Sequence, residues 1–203
     1  MVFLLNRYFL LNKPVNMVSQ FLSPHKVTLL SHLEFEFPKG IHAIGRLDSN
    51  SEGLLLLTTN KDITRLLFSA KQPHKRVYLL QVNKRLSDES LSRLRNGVSI
   101  KVKDGLNYLT PPCEVNICED PLKFYPVQSI DNVFGLHTWL LITLYEGKFR
   151  QVRKMIYAIN HRCKRLIRIS IEDLNVKGIE PGEVKEVGEN EFFNKLHLNC
   201  QSK

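Results

Sequence analysis

The alternation of apolar and polar positions marks out most elements of this chain. Tyr8 to Leu11 is a short apolar run that closes at Asn12-Lys13-Pro14. A proline cannot donate a ladder hydrogen bond, so a strand there stops at Pro14. Val27 to Leu33 has the spacing of a short helix, and Ile41 to Ile44 reads as a strand halted by Gly45. Gly53 to Thr59 is apolar throughout its middle and is bounded by Gly53 and Asn60, the pattern of a strand buried on both faces. Asp62 precedes Ile63, Leu66 and Leu67, which share one helical face, and Val77 to Val82 reads as a further strand.

Ser87 to Asn96 carries a full set of helix signals: Ser87 as N-cap, Asp88 and Glu89 in the first turn, and Gly97 as the stop. Val98 to Ile117 predicts strands and turns interrupted by Pro111-Pro112, and Leu122 to Leu136 predicts a loop. Thr138 to Tyr145 and Arg165 to Ile171 predict strands. Between them Gln151 to Ile159 predicts a helix with Val152, Met155, Ile156 and Ile159 on its inner face. Strands and helices intersperse without a regular βαβ beat, so the expected class is α+β, with a mixed, largely antiparallel sheet flanked by helices and loops. No repeat or Gly/Ser linker divides the chain, and the expected organisation is one domain of two lobes over residues 1–203, hinged near Glu119 to Asn132.

Charge changes the picture. The 203 residues include 29 Lys and Arg against 20 Asp and Glu, a net charge of +9, which favours a polyanionic partner. The excess is concentrated. Lys148-Phe149-Arg150-Gln151-Val152-Arg153-Lys154 is followed by Arg162, Lys164, Arg165 and Arg168, and no Asp or Glu falls between Lys148 and Ile171. Such a strip suits RNA phosphates, against the plainer reading of a solvated helix face. Cys113, Cys118, Cys163 and Cys200 form no CxxC pair, so neither a zinc site nor a disulfide framework is expected. The N-terminal apolar run is broken by Asn6 and Arg7, and no stretch approaches the roughly 18 apolar residues of a membrane span. A cytoplasmic protein without membrane attachment is expected.

Candidate chemistry gathers in Gly45-Arg46-Leu47-Asp48-Ser49-Asn50-Ser51-Glu52-Gly53, a polar loop between two apolar segments. Taken alone it reads more readily as a solvated turn, since Asp48-Ser49-Asn50-Ser51 are turn residues. Tyr78, in Lys75-Arg76-Val77-Tyr78, reads alone as a half-buried core residue.

Together these segments resemble a known family. Gly45-Arg46-Leu47-Asp48, then Ser51-Glu52-Gly53-Leu54-Leu55-Leu56-Leu57-Thr58, is similar to the signature of one group of ribosomal-RNA pseudouridine synthases, which holds type A for the small ribosomal subunit together with types B, E and F for the large one. Asn12-Lys13-Pro14, Glu146-Gly147-Lys148, Arg150-Gln151-Val152-Arg153-Lys154-Met155, Arg165-Leu166-Ile167-Arg168 and Pro181-Gly182-Glu183 follow the same pattern in the same order. The resemblance implies isomerisation of a uridine in ribosomal RNA, of the 23S type, without cofactor or metal; nothing in the sequence suggests more than a monomer. It also implies a catalytic domain with no S4 RNA-binding domain ahead of it.

By the same resemblance Asp48 is the catalytic carboxylate, acting as nucleophile or in glycal formation. Tyr78 packs on the target base, and Arg153 is the basic partner of the Asp. Leu166 lines the pocket and Arg46 helps hold the RNA open. Asn12, Lys13, Lys148, Arg150, Gln151, Lys154 and Arg168 complete the implied RNA contacts. A flipped base, a carboxylate beside an Arg and an aromatic stacking surface fit one reaction. The chain departs from the family pattern at Asn16 and Glu172, where Gly is usual, at Arg76 in place of Lys, and at Phe149 in place of Asn or Tyr. A non-catalytic RNA-binding or ribosome-assembly protein on the same fold is the alternative. A hydrolase using Asp48 with Glu52 is a third reading.

Overall fold

The computed structural model describes residues 5–68, 73–126 and 136–198. In chain order the elements begin with strand β1 (Tyr8–Lys13), strands β2 (His42–Ile44) and β3 (Glu52–Thr58), and helix α1 (Ile63–Phe68). Strand β4 (Arg76–Asn83) leads to helix α2 (Asp88–Asn96) and to strands β5 (Ser99–Lys101), β6 (Asn107–Leu109), β7 (Glu114–Ile117) and β8 (His137–Leu144). Helix α3 (Gln151–Ala158) precedes strands β9 (Cys163–Ile171), β10 (Leu174–Asn175) and β11 (Val184–Val187), and helix α4 (Glu189–Lys195) comes last. The fold is α+β. The chain divides into two compact units, Met1–His74 with Ser170–Lys203, and Lys75–Ile169. The segment 119–132 lies within the second unit, and its residues 127–132 lie outside the described residues.

In the first unit β1 pairs antiparallel with β3 on one edge and β11 on the other, and β2 pairs antiparallel with β3. Every residue of β1 and β3 is buried, as their continuous apolar runs require of strands covered on both faces. Phe9, Leu11, Leu55 and Leu57 point into one core, shared with Met17 and Leu47. The alternate side chain Tyr8 stacks 4.6 Å from Phe192 of α4, with Phe193 edge-on at 5.7 Å. In the second unit the strands run β9-β4-β8-β7, and the pairings of β4 with β8 and β7 with β8 are antiparallel. α2 and α3 supply Leu91, Leu94, Val152, Met155 and Ile156 to its core. The Ser87 hydroxyl accepts the Ser90 N–H at 3.2 Å, and Gly97 ends α2 at φ +96°, as the cap signals predict.

One expectation needs correction, and one stretch forms elements where none was named. Val27 to Leu33 forms only one 3₁₀ turn, Leu30–His32, because Thr28 bridges to Met17 and the Leu30 N–H is drawn to the Gln20 carbonyl. Beyond Ile171, where the sequence pattern names no element, β10, β11 and α4 form.

Candidate active site

The Asp48 loop is held from beneath. Leu47 is buried in the core of the first unit, so the residue before Asp48 is an anchor. The buried Ser19 hydroxyl donates to the Leu47 carbonyl at 2.9 Å and accepts the Leu47 N–H at 3.0 Å. On the other side of Asp48, Lys13 is fully enclosed, and its ammonium donates to the carbonyls of Pro14 and Met17 at 2.7 Å and of Ser49 at 3.4 Å. The Ser51 N–H returns to the Asp48 carbonyl at 3.0 Å, closing a tight turn with Ser49 and Asn50 at its exposed tip. Gly45 (φ +70°) and Gly53 (φ +95°) supply the left-handed backbone at the two ends of the loop. The carboxylate-bearing residue is thus half-exposed on a loop that both neighbouring peptides tie down, with Arg46 exposed beside it.

Asn12 lies next to this support. Its side chain donates to the Ile179 carbonyl at 2.7 Å, and its own carbonyl accepts the Gly182 N–H at 2.7 Å. The structure therefore encloses Asn12 and Lys13, expected at the RNA, where they brace β1 against neighbouring loops. Asn16, at the Gly position, adopts φ +63°, and Glu172, at the other, adopts φ +46° with its carboxylate 3.1 Å from His74 Nδ1.

In the second unit Tyr78 sits mid-β4 opposite Ile142, nearly buried in a core that includes Leu166, Val152 and Met155. Arg168 is buried and hydrogen-bonds Tyr78. Burial pulls its guanidinium pKa down, the Tyr78 contact works in the opposite sense, and the like charge of Arg76 adds to the lowering. Arg168 is therefore set against the tyrosine rather than out on the basic strip.

The start of α3 is a knot. Arg150 holds φ +54° as the helix cap without a side-chain cap bond. Gln151, which is buried, accepts the Lys148 N–H at 2.9 Å and donates to Glu146, whose second oxygen accepts the Tyr108 hydroxyl. That bond raises the Tyr108 pKa. Lys148 lies over the Tyr108 ring at 4.9 Å. Arg153, half-exposed, donates from Nη1 to the Cys163 carbonyl at 3.1 Å, which points the side chain toward β9. Lys148, Arg150, Arg162 and Lys164 are exposed, so the outer part of the basic strip faces solvent. Ser19 and Tyr108 are not legible from the sequence. Ser19 acts on a backbone peptide far along the chain, and Tyr108 acts on Glu146, so neither carries a local sequence signal.

The expected residues fall into two sets. Asp48, Arg46, Asn12 and Lys13 belong to the first unit; Tyr78, Lys148, Arg150, Gln151, Arg153, Lys154, Leu166 and Arg168 belong to the second.

A family model described as RNA pseudouridylate synthase matches residues 7–158. The chain belongs to this family. The enzyme is accordingly an isomerase that makes pseudouridine in RNA. It is 35% identical over 185 residues, 89% of this chain and 74% of the other, to "Ribosomal large subunit pseudouridine synthase E" of Vibrio parahaemolyticus. It is 32% identical to the protein of the same name from Xanthomonas axonopodis, over 85% of this chain and 89% of that one. "Dual-specificity RNA pseudouridine synthase RluF" of Shigella flexneri is 30% identical over 93% of this chain and 57% of its own length. Among solved structures, "Crystal structure of pseudouridylate synthase" superposes with a TM-score of 0.75 at 24% identity, covering 94% of this chain and 74% of that chain, a likeness of fold. No described helix is long and apolar enough to cross a membrane.

Proposed function

We propose that this enzyme isomerises one uridine of large-subunit (23S) ribosomal RNA, with Asp48 as its catalytic carboxylate, and that it acts as a cytoplasmic monomer. The observation that carries the reading is the loop itself. Asp48 is half-exposed while the peptides on either side of it are fastened, through Leu47 to Ser19 and through Ser49 to Lys13. A carboxylate that must meet one carbon of a sugar gains from such a fixed mount. The relatives named for the large ribosomal subunit support the choice of RNA.

The chemistry follows from the isomerisation. The N1–C1′ bond of uridine breaks, the base turns, and a C5–C1′ bond forms. The C5 proton leaves, and N1 gains a proton, so atoms balance with no co-reactant. A uridine within a helix does not expose C1′ to a carboxylate, so the nucleotide is flipped out. Asp48 acts at the sugar, as nucleophile or in glycal formation. Tyr78 offers a surface for the base beside Leu166, with Arg168 fixing the tyrosine, and Arg153 contributes positive charge to the catalytic machinery. Lys148, Arg150 and Lys154 meet flanking phosphates, and Arg46 helps hold the RNA open.

The test is tritium release from RNA transcribed with [5-³H]uridine, since the C5 hydrogen is lost only when C5 bonds to C1′. Wild-type protein releases one equivalent from a large-subunit transcript, and Asp48→Asn releases none while binding the same RNA. Release by Asp48→Asn at the wild-type rate defeats the assignment. Binding without release by wild type would favour a ribosome-assembly role on the same fold.

A further inference from the structure

Helix α3 and the turn before it carry two aromatic rings that no core accounts for. Phe149, on the turn before the helix, is 73% exposed, and Tyr157, near its end, is 76% exposed. Single exposed apolar side chains are ordinary on protein surfaces. These two stand in a particular setting. Lys154 places its Nζ 5.3 Å from the Phe149 ring centroid and lies three residues before Tyr157, so it borders both on the helix surface. Arg150 is exposed next to Phe149. The exposed Arg93 donates to the Ala158 carbonyl at 3.0 Å, one residue from Tyr157. The chain has no acidic residue from Lys148 to Ile171.

Exposed rings interleaved with cations are the chemistry of an unpaired nucleic-acid strand: bases stack on rings while the backbone follows the positive charge. A duplex, whose bases are already stacked, has no use for the rings. A second copy of this chain would set Arg150, Lys154 and Arg93 against like charges, which disfavours a self-contact. Lys154 over one face of Phe149 also holds that ring in place, so a base stacking on its other face orders less of the protein.

We propose that this flank of α3 is a stacking site for an unpaired stretch of the RNA substrate, distinct from the uridine being modified. One base stacks on Phe149 and another on Tyr157, while Arg150, Lys154 and Arg93 meet the intervening phosphates. The inference rests on RNA being the substrate and is independent of the role given to Asp48.

The experiment is equilibrium binding of the full chain to a fluorescein-labelled single-stranded 12-nucleotide RNA and to a duplex of the same length, over a range of salt. Stacking is worth about 1–3 kcal/mol per base. Phe149→Ala and Tyr157→Ala should therefore each weaken single-strand binding roughly 5- to 150-fold while leaving duplex binding unchanged. Their salt slopes stay at the wild-type value, because no phosphate contact is lost, whereas Lys154→Ala flattens the slope. Phe149→Trp keeps wild-type affinity. Circular dichroism melts of the variants stay at wild type, as expected for exposed side chains. Unchanged single-strand affinity in the double alanine variant overturns the proposal. So does an equal loss for duplex and single strand, or a concentration-dependent dimer in sedimentation that the double variant abolishes. Tritium release by wild type and Asp48→Asn reports on the reaction separately, so failure of one reading is distinguishable from failure of the other.

Discussion

The hydroxyl of Ser19 grips both polar groups of Leu47, the residue immediately before Asp48: it donates to the carbonyl at 2.9 Å and accepts from the N–H at 3.0 Å. Both residues are buried, so water cannot replace either bond readily. Ser19→Ala leaves the two backbone groups without this partner at a cost of roughly 1–3 kcal/mol. The expected outcome is a lower melting temperature and a reduced kcat, with RNA affinity unchanged, and Ser19→Thr recovering part of the kcat. A stable variant with wild-type kcat would remove Ser19 from the positioning of Asp48.

Lys13 presents a choice that a salt titration resolves. Its ammonium is enclosed by the carbonyls of Pro14, Met17 and Ser49. Lys13→Met should destabilise the fold by about 3 kcal/mol, in the range seen for breaking a buried charged interaction, and depress kcat. The salt dependence of RNA binding should stay at wild type. A slope reduced by about one would instead make Lys13 a phosphate contact.

Asn16 holds φ +63° at the turn after Pro14. Asparagine tolerates that conformation and a β-branched residue does not. Asn16→Gly is expected to be near neutral, and Asn16→Val to cost roughly 1–3 kcal/mol in chemical denaturation.

These cases mark where the sequence was informative. β1 and β3 were legible because Tyr8–Leu11 and Leu54–Leu57 are continuous apolar runs with Pro14, Gly53 and Asn60 as boundaries. α2 was legible because Ser87 and Gly97 carry cap chemistry at both ends. α4 was not: it has seven residues, its N-cap is Gly188 with no side-chain bond, and its stability comes from Phe192 and Phe193 packing on Tyr8, at the far end of the chain. The Asp48 loop stood out through its density of functional groups, yet its supports did not, since Ser19 and Lys13 bind backbone carbonyls that carry no side-chain signature. Arg168 looked like one more cation of the basic strip. Its burial beside Tyr78 depends on β4 and β9 being neighbours, a tertiary fact that local composition does not encode.

The thiol of Cys163 is pushed up to about 11, chiefly by burial, with Arg153 and Arg150 opposing. An unfolded thiol ionises near roughly 8.5, so the unfolded chain loses its proton first as pH rises. The corresponding stability is present in full below that value and is lost progressively toward a pH of about 11. Urea midpoints should therefore fall between about pH 8.5 and about pH 11, and fall less steeply in Cys163→Ala than in wild type. Parallel pH profiles for the two proteins would contradict this.

The central claim is that Asp48 drives isomerisation of a uridine in large-subunit ribosomal RNA. Pseudouridine mapping of ribosomal RNA from cells lacking the gene, complemented with wild type or with Asp48→Asn, tests it most directly. The account predicts that one large-subunit site disappears in the deletion and returns only with wild type. An unchanged map in the deletion, or restoration by Asp48→Asn, would contradict it.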